Sequence, residues 1–291
     1  MNSDKVVLTC ALTGVLTDPT RFPVPVTPEE MASAAQEAWD AGATVLHCHF
    51  RDQQEGMGYM PTWDPDVVEQ IILAIRDRVP NMIINMSTGV MGDDISGPVS
   101  CLERVRPETA ALNAGSLNYL KVRRGGGWAW PPLLFDNHVD KIQRFIDVMD
   151  ACGIVPECEC FDTGIVRSIA MFEQMGMLKS PVHVSFVMGV ASGMPAKASW
   201  LPLLVEELNP DTHWQVIAIG RTEVWDVHQA CAELGGHMRT GLEDTFYLPD
   251  GTKATSNGPL IEALARKARD AGRSIASHEE AREILGCRGV E

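Results

Sequence analysis

Short apolar runs alternate with amphipathic helical segments from end to end of this 291-residue chain, and that alternation restricts its fold more than any single motif does. Strand-like runs fall at 5–11, 44–50, 82–86, 109–113, 155–161, 182–187, 214–219 and 237–242. Helical patterns fall at 28–40, 65–78, 98–105, 138–152, 164–174, 198–208, 222–234 and 259–271, with a terminal piece at 278–285. The first helix start is written in full. Thr27 can cap it, Pro28 suits its first turn, and Glu30 completes a capping box. Eight strands, each followed by a helix, predict an α/β fold, a closed parallel (β/α)8 barrel of the TIM type. Residues 1–291 are read as one barrel domain with a short C-terminal helical extension. An open doubly wound sheet is the alternative, but one that bound a dinucleotide would carry a glycine fingerprint after its first strand. Neither Leu12-Thr13-Gly14-Val15-Leu16-Thr17 nor Arg124-Gly125-Gly126-Gly127 is such a fingerprint.

Composition narrows the function classes. Hydrophobic residues make up 45% and charged residues 22%, enough for a large core. The net charge of -15 argues against a general nucleic-acid binder, because no broad basic surface faces the phosphates. It leaves room for a local basic cluster holding an anionic small ligand. Met1-Asn2-Ser3-Asp4-Lys5 does not resemble a signal peptide. No apolar run reaches the roughly 20 residues that span a bilayer. Cysteines at 10, 48, 101, 152, 158, 160, 231 and 287 follow neither a disulfide framework nor a CxxC module. They read as reduced thiols, and the chain as cytoplasmic.

Chemistry in such a barrel concentrates at the C-terminal ends of the strands. The second strand ends in His47-Cys48-His49. Alternate strand residues share a face, so the two imidazoles project together and Cys48 points away. That is half of a metal site, although such a pair can equally be structural. Glu243, at the end of strand eight, is the natural third ligand, since strands two and eight both flank strand one. Two imidazoles and a carboxylate leave a fourth position open for water or substrate. Arg239, four residues earlier, can hold a substrate carboxylate or grip Asp244 with two hydrogen bonds. Glu157 and Glu159 share a face of strand five. They are either buried carboxylates bonded to basic groups on neighbouring strands or an acid/base. Ser87 can donate to an oxyanion or to a carboxylate base, or is a turn-former before Gly89; Asn113, which ends strand four, and Ser116 after it are candidate substrate contacts. His183 is left as a core histidine. A zinc-dependent hydrolase of the amidohydrolase kind also uses a His-x-His pair and a strand-eight carboxylate, though its pair lies on the first strand and its further histidines on strands five and six are matched only in part, by His183.

The joint pattern resembles the beta-keto acid cleavage enzyme family over nearly the whole chain. It is carried by Ala11-Leu12-Thr13-Gly14, by Pro25-Val26-Thr27-Pro28-Glu29-Glu30 and by the run from Ala41 to Asp52 around the histidine pair. Ser87-Thr88-Gly89, the runs 112–118 and 157–164, and the run from Gly235 to Asp244 complete it. The resemblance implies a zinc-bearing barrel that takes a β-keto acid and acetyl-CoA and returns acetoacetate and a new acyl-CoA. It implies His47, His49 and Glu243 as zinc ligands and Asp244 as the base, supported by Arg239 and Ser87. Glu159 is implied as a further acid/base. Lys121, Arg123 and Arg124 after strand four either bind the CoA phosphates, with Trp128 and Trp130 lining the mouth, or form a solvated loop with partly buried tryptophans. A homo-oligomer, dimer or tetramer, is expected. One departure stands out. Members acting on amino-keto acids carry an acidic residue where this chain has Leu16, next to Val15. An ammonium group finds no counter-charge there, so a substrate with a neutral or apolar tail is expected.

Overall fold

The computed structural model describes residues 4–15 and 17–287. Its barrel strands are β1 (Leu8–Ala11), β2 (Val45–Cys48), β3 (Ile83–Met86), β4 (Thr109–Asn113), β5 (Val155–Cys160), β6 (His183–Met188), β7 (His213–Ala218) and β8 (His237–Thr240). All eight run parallel, and the ring closes where β8 pairs with β1, so the expected barrel is the observed one. The helices are α1 (Pro28–Asp40), α2 (Pro65–Arg78), α3 (Ser96–Val105), α4 (Val139–Cys152), α5 (Thr163–Gln174), α6 (Leu201–Glu206), α7 (Val224–Glu233), α8 (Asn257–Asp270) and α9 (His278–Leu285). The capping box at Thr27 and Glu30 is formed at both of its bonds.

Three local features differ from the sequence pattern. The first run splits: Lys5–Val6 leaves the barrel and pairs in parallel with Ser274–Ile275, while Leu8–Ala11 enters it. The run 198–208 begins with a 3-10 turn at Ala198–Trp200 and becomes α-helical only from Leu201, with a proline in the first turn of α6. Between β4 and α4 the chain also forms a hairpin, Leu117–Tyr119 against Leu133–Phe135, where the sequence suggests a plain loop. Strands of three residues are too short for periodicity to reveal.

Strand alternation sorts the two barrel faces. Leu8, Cys10, Leu46, Cys48, Ile84, Met86, Cys158 and Phe186 point outward and join the core beneath the helices. Part of the inward set forms an apolar patch at the N-terminal end. There Val7, Val45 and Ile83 pack with Ala276 and Ala281, so α9 covers the bottom of the barrel. His183, His213 and His237 begin β6, β7 and β8 at that same end. Their rings stack in sequence, with centroids 5.1 Å and 6.2 Å apart.

Buried imidazoles couple stability to pH. Burial pushes His183, His228 and His237 down to about 3. His228, in α7, is fully buried, and neither ring nitrogen has a hydrogen-bond partner among the described residues. The unfolded imidazole titrates near 6.5, so its contribution is fully present above that pH and is lost as pH falls toward 3. Between pH 7 and pH 5 each such group costs on the order of 2 kcal/mol. The variant His228→Phe should therefore lose about 2 kcal/mol less than the parent over that interval, measured by urea unfolding at both pH values. Equal losses in the two proteins would show that His228 does not titrate in this way.

Candidate active site

The polar strand ends converge at the C-terminal mouth of the barrel. His47 lies in β2 and is almost wholly buried, and His49 follows the strand directly. Their rings meet edge to face with centroids 5.1 Å apart. Glu243, in the turn after β8, places Oε1 3.7 Å from His47 Nε2 and 3.4 Å from His49 Nε2. A donor atom from each of the three lies within 4.8 Å of the others. Cys48 turns outward into the core, as strand alternation requires. Burial pushes the His47 imidazole down to about 3, so it is neutral and able to donate a lone pair.

Arg239 organises the carboxylates. This side chain of β8 is 2% exposed. It grips Asp244 with two bonds, Nε to Oδ2 and Nη2 to Oδ1, each 3.2 Å. The same Nη2 donates to Glu243 Oε1 at 2.6 Å, and Nη1 reaches across the barrel to Glu159 Oε1 at 3.2 Å. The guanidinium thus orients Asp244, the second of the two roles open to it, and its donors are largely spent on protein carboxylates. Burial resists ionisation of Glu243, but Arg239 and the two histidines outweigh it and hold this carboxyl well below its usual range. Burial dominates at Asp244 and Glu159 and raises both, against the pull of Arg239. Glu243 Oε2 is buried and has no hydrogen-bond partner among the described residues. Two imidazole nitrogens, the oxygen of an ionised carboxylate and an orphaned second oxygen fit a divalent metal such as zinc.

The other candidates are placed unevenly. Ser87 and Asn113 flank one wall of the mouth. A Cβ built on Gly89 would lie 3.6 Å from Asn113 Nδ2 and 4.0 Å from Ser87 Oγ. Ser87 Oγ accepts from the Gly89 N–H at 3.5 Å, the turn-forming geometry, and the hydroxyl makes no hydrogen bond to Asp244. Ser116 is exposed and donates to Asp136 Oδ1 at 3.1 Å while accepting from Asn137 N at 2.8 Å, which ties it to the hairpin base. Leu16 lies outside the described residues. Lys121 sits over the Trp130 ring at 5.4 Å, and Trp130 stacks on Tyr119. Arg123, Arg124 and Trp128 are exposed on the same excursion.

Two residues important to the mouth escape a reading by motif. Arg51 is fully buried yet pairs with no carboxylate among the described residues. Its N–H groups go to the carbonyls of Gly14, Thr13, Thr17, Gly58 and Tyr59, fastening the loop after β1 to the loop after β2. That clamp holds Gly14 against Glu243. The φ of Gly14 is +61°, and an added Cβ would come within 2.8 Å of Glu243 Cγ, so glycine is required on both counts. The second residue is Asn85 of β3, whose Oδ1 lies 2.7 Å from His47 Nδ1. Its inward parity with Ile83 and Ser87 is readable from the sequence, but a lone amide in an apolar strand carries no chemical signature.

Fold and site together define a (β/α)8 barrel with a His-His-Glu donor set and a buried, Arg-clamped aspartate at its mouth. Residues 5–287 match the family described as beta-keto acid cleavage enzyme, and the chain belongs to that family. It is 34% identical over 290 residues to a 3-keto-5-aminohexanoate cleavage enzyme of Fusobacterium nucleatum, covering 97% of this chain and 98% of that one. It is 32% identical over 292 residues to a 3-oxoadipate:acetyl-CoA acetyltransferase of Cupriavidus necator, covering 98% and 96%. Among solved structures, the apo structure of ObcA is similar in fold, with a TM-score of 0.73 at 21% identity. The match covers 91% of this chain and spans 65% of the length of ObcA. The amidohydrolase alternative falls with the family assignment. Its geometry fails too, because His183 stands at the opposite end of the barrel from His47 and His49, beside Leu285 of α9.

The charge arrangement makes a sharp stability prediction. Arg239→Met leaves three buried carboxylates without their cation and should cost about 3–5 kcal/mol. Arg78→Met, which removes an exposed pair with Glu29, should cost about 1 kcal/mol or less. Chemical denaturation of both variants in a chelating buffer checks the contrast, and similar losses would refute it.

Proposed function

We propose that this chain is a zinc-dependent transferase that converts a β-keto acid and acetyl-CoA into acetoacetate and a new acyl-CoA. The observation that carries the proposal is the buried Asp244 carboxylate, held on both oxygens by Arg239 next to the His47, His49 and Glu243 donor set. The names of the relatives support it, since the Cupriavidus necator protein is a 3-oxoadipate:acetyl-CoA acetyltransferase.

The reaction needs a carbon acid, an electrophile and no protein nucleophile. His47, His49 and Glu243 would hold zinc, which supplies Lewis acidity toward ketone and carboxylate oxygens and so lowers the acidity barrier at C2. Asp244 takes the C2 proton. Its raised basicity suits that task, and the two-bond grip of Arg239 keeps it from swinging away. The C2 carbanion attacks the acetyl thioester carbon and CoA leaves as thiolate. The thiolate attacks the original C3 ketone, the C2–C3 bond breaks, and the electron pair returns to C2. Asp244 then gives its proton back to that carbon, which becomes acetoacetate. Glu159, across the barrel and also raised, is a second acid/base candidate. Ser87 and Asn113 line the wall where the substrate lies, and Ser116 supports the hairpin beside it. Lys121, Arg123 and Arg124 on that hairpin supply positive charge for the CoA phosphates. Leu16, which stands where members acting on amino-keto acids carry an acidic residue, favours a neutral or apolar substrate tail. A homo-oligomer in the cytoplasm is the setting we propose; among the described residues no helix is long and apolar enough to cross a membrane.

The test is a screen of β-keto acids with acetyl-CoA on zinc-loaded protein, following acetoacetate. Product must require acetyl-CoA, and release without it would point to a hydrolase. His47→Ala should lose bound metal and activity together. Asp244→Asn should keep the metal and lose about a hundredfold or more in kcat, the scale of a missing general base. An alkyl β-keto acid should turn over faster than 5-amino-3-oxohexanoate, and the reverse ranking would remove the assignment of Leu16.

A further inference from the structure

The middle of the barrel is filled by hydrogen-bonding side chains. Glu157 of β5 is buried, with no Lys or Arg within ion-pair distance among the described residues. Its Oε1 accepts from Ser185 Oγ at 2.6 Å and from Gln215 Nε2 at 2.9 Å. Its Oε2 accepts from Asn85 Nδ2 at 2.7 Å. The second hydrogen of that Asn85 amide goes to Thr109 Oγ1 at 2.9 Å. Strands β3 and β5 are not neighbours, so the Asn85–Glu157 bond crosses the interior. Both amide hydrogens of Asn85 are therefore committed, and its Oδ1 is the atom left facing His47 Nδ1 at 2.7 Å. A carbonyl oxygen accepts only, so His47 must carry its proton on Nδ1 and keep the lone pair on Nε2, the atom that faces Glu243.

We propose that Asn85 and Glu157 are positioning residues for the metal centre: Glu157 fixes the Asn85 amide, and Asn85 fixes the tautomer and ring angle of His47. The proposal rests on the metal reading of the His47, His49 and Glu243 set. Partners of this kind orient a ligand imidazole, and their loss typically weakens metal affinity about 10–100-fold.

The network makes an exchange test available. In Glu157→Gln alone, an amide must point N–H groups either at Asn85 Nδ2 or at Gln215 Nε2, and either is a donor against a donor. In Asn85→Asp alone, two carboxylates face each other. In the double variant Asn85→Asp with Glu157→Gln, the new amide N–H donates to the new carboxylate. The new carbonyl still accepts from Ser185 and Gln215, and His47 Nδ1 keeps an acceptor. Zinc dissociation constants are measured by competition with a chromophoric chelator, on metal-free protein whose fold is checked by thermal melting. Nitrogen-15 shifts of the His47 ring, taken without metal, report its tautomer. Each single variant, and Asn85→Leu, should bind zinc about 10–100-fold more weakly, and the double variant should recover to within about threefold of the parent. Asn85→Leu should also lose the pure Nδ1–H signature. Folded single variants that bind zinc as tightly as the parent overturn the proposal, as does a folded double variant no better than the singles. A parent protein that binds no zinc overturns the metal reading instead. In that case the tautomer signature still tests the Asn85 contact by itself.

Discussion

The barrel mouth depends on the guanidinium of Arg239. It is buried among Asp244, Glu243 and Glu159, and it contacts all three. Without it, these carboxylates would repel one another in a poorly solvating interior, and at least one would have to take up a proton or move. With it, Asp244 is held on two oxygens, Glu243 is drawn beside both histidines, and Glu159 is tied across the ring. The guanidinium shape matters here, since a fork of fixed N–H directions can serve three acceptors in set places, whereas an ammonium cannot. Even so, Oε2 of Glu243 keeps no partner among the described residues, and this carboxyl beside two imidazoles is suited to a further cation.

The rest of the interior follows from the same need for satisfied polarity. Barrel cores of this type are commonly layers of branched apolar side chains. Here Val7, Val45 and Ile83 form such a layer at the bottom, where they meet α9. Above it, Thr9, Asn85, Thr109, Glu157, Ser185 and Gln215 bond to one another. Such a network is directional where an apolar layer is not. It carries orientation from β5 and β3 up to His47. Arg51 plays the matching part outside the ring, spending its donors on backbone carbonyls of the loops that frame the mouth.

Much of this architecture is legible in the amino-acid sequence. The strand–helix alternation is set by local hydrophobic periodicity and capping, which need no distant partner, so the barrel and most of its elements can be read directly. The pairing of His47 with His49 follows from strand parity, and the convergence of strand two with strand eight follows from closure. Where elements are short, periodicity has nothing to work on. The hairpin of Leu117–Tyr119 with Leu133–Phe135 and the split at Val7 are invisible for that reason. Ser87 and Ser116 show another limit, because a serine after a strand is written the same way whether it faces substrate or closes a turn.

The barrel, the strand ends that bear polar groups and the donor types available there depend on spacing along one chain, so they can be read before folding is considered. Which partners those groups take depends on the closed ring. Residues as far apart in sequence as Glu159 and Arg239, or Asn85 and Glu157, meet through register around a closed ring. That register sets which oxygen faces which nitrogen. It makes Arg239 the holder of Asp244 where a substrate clamp was equally open to it, and it makes the inconspicuous Asn85 the neighbour that sets the tautomer of His47.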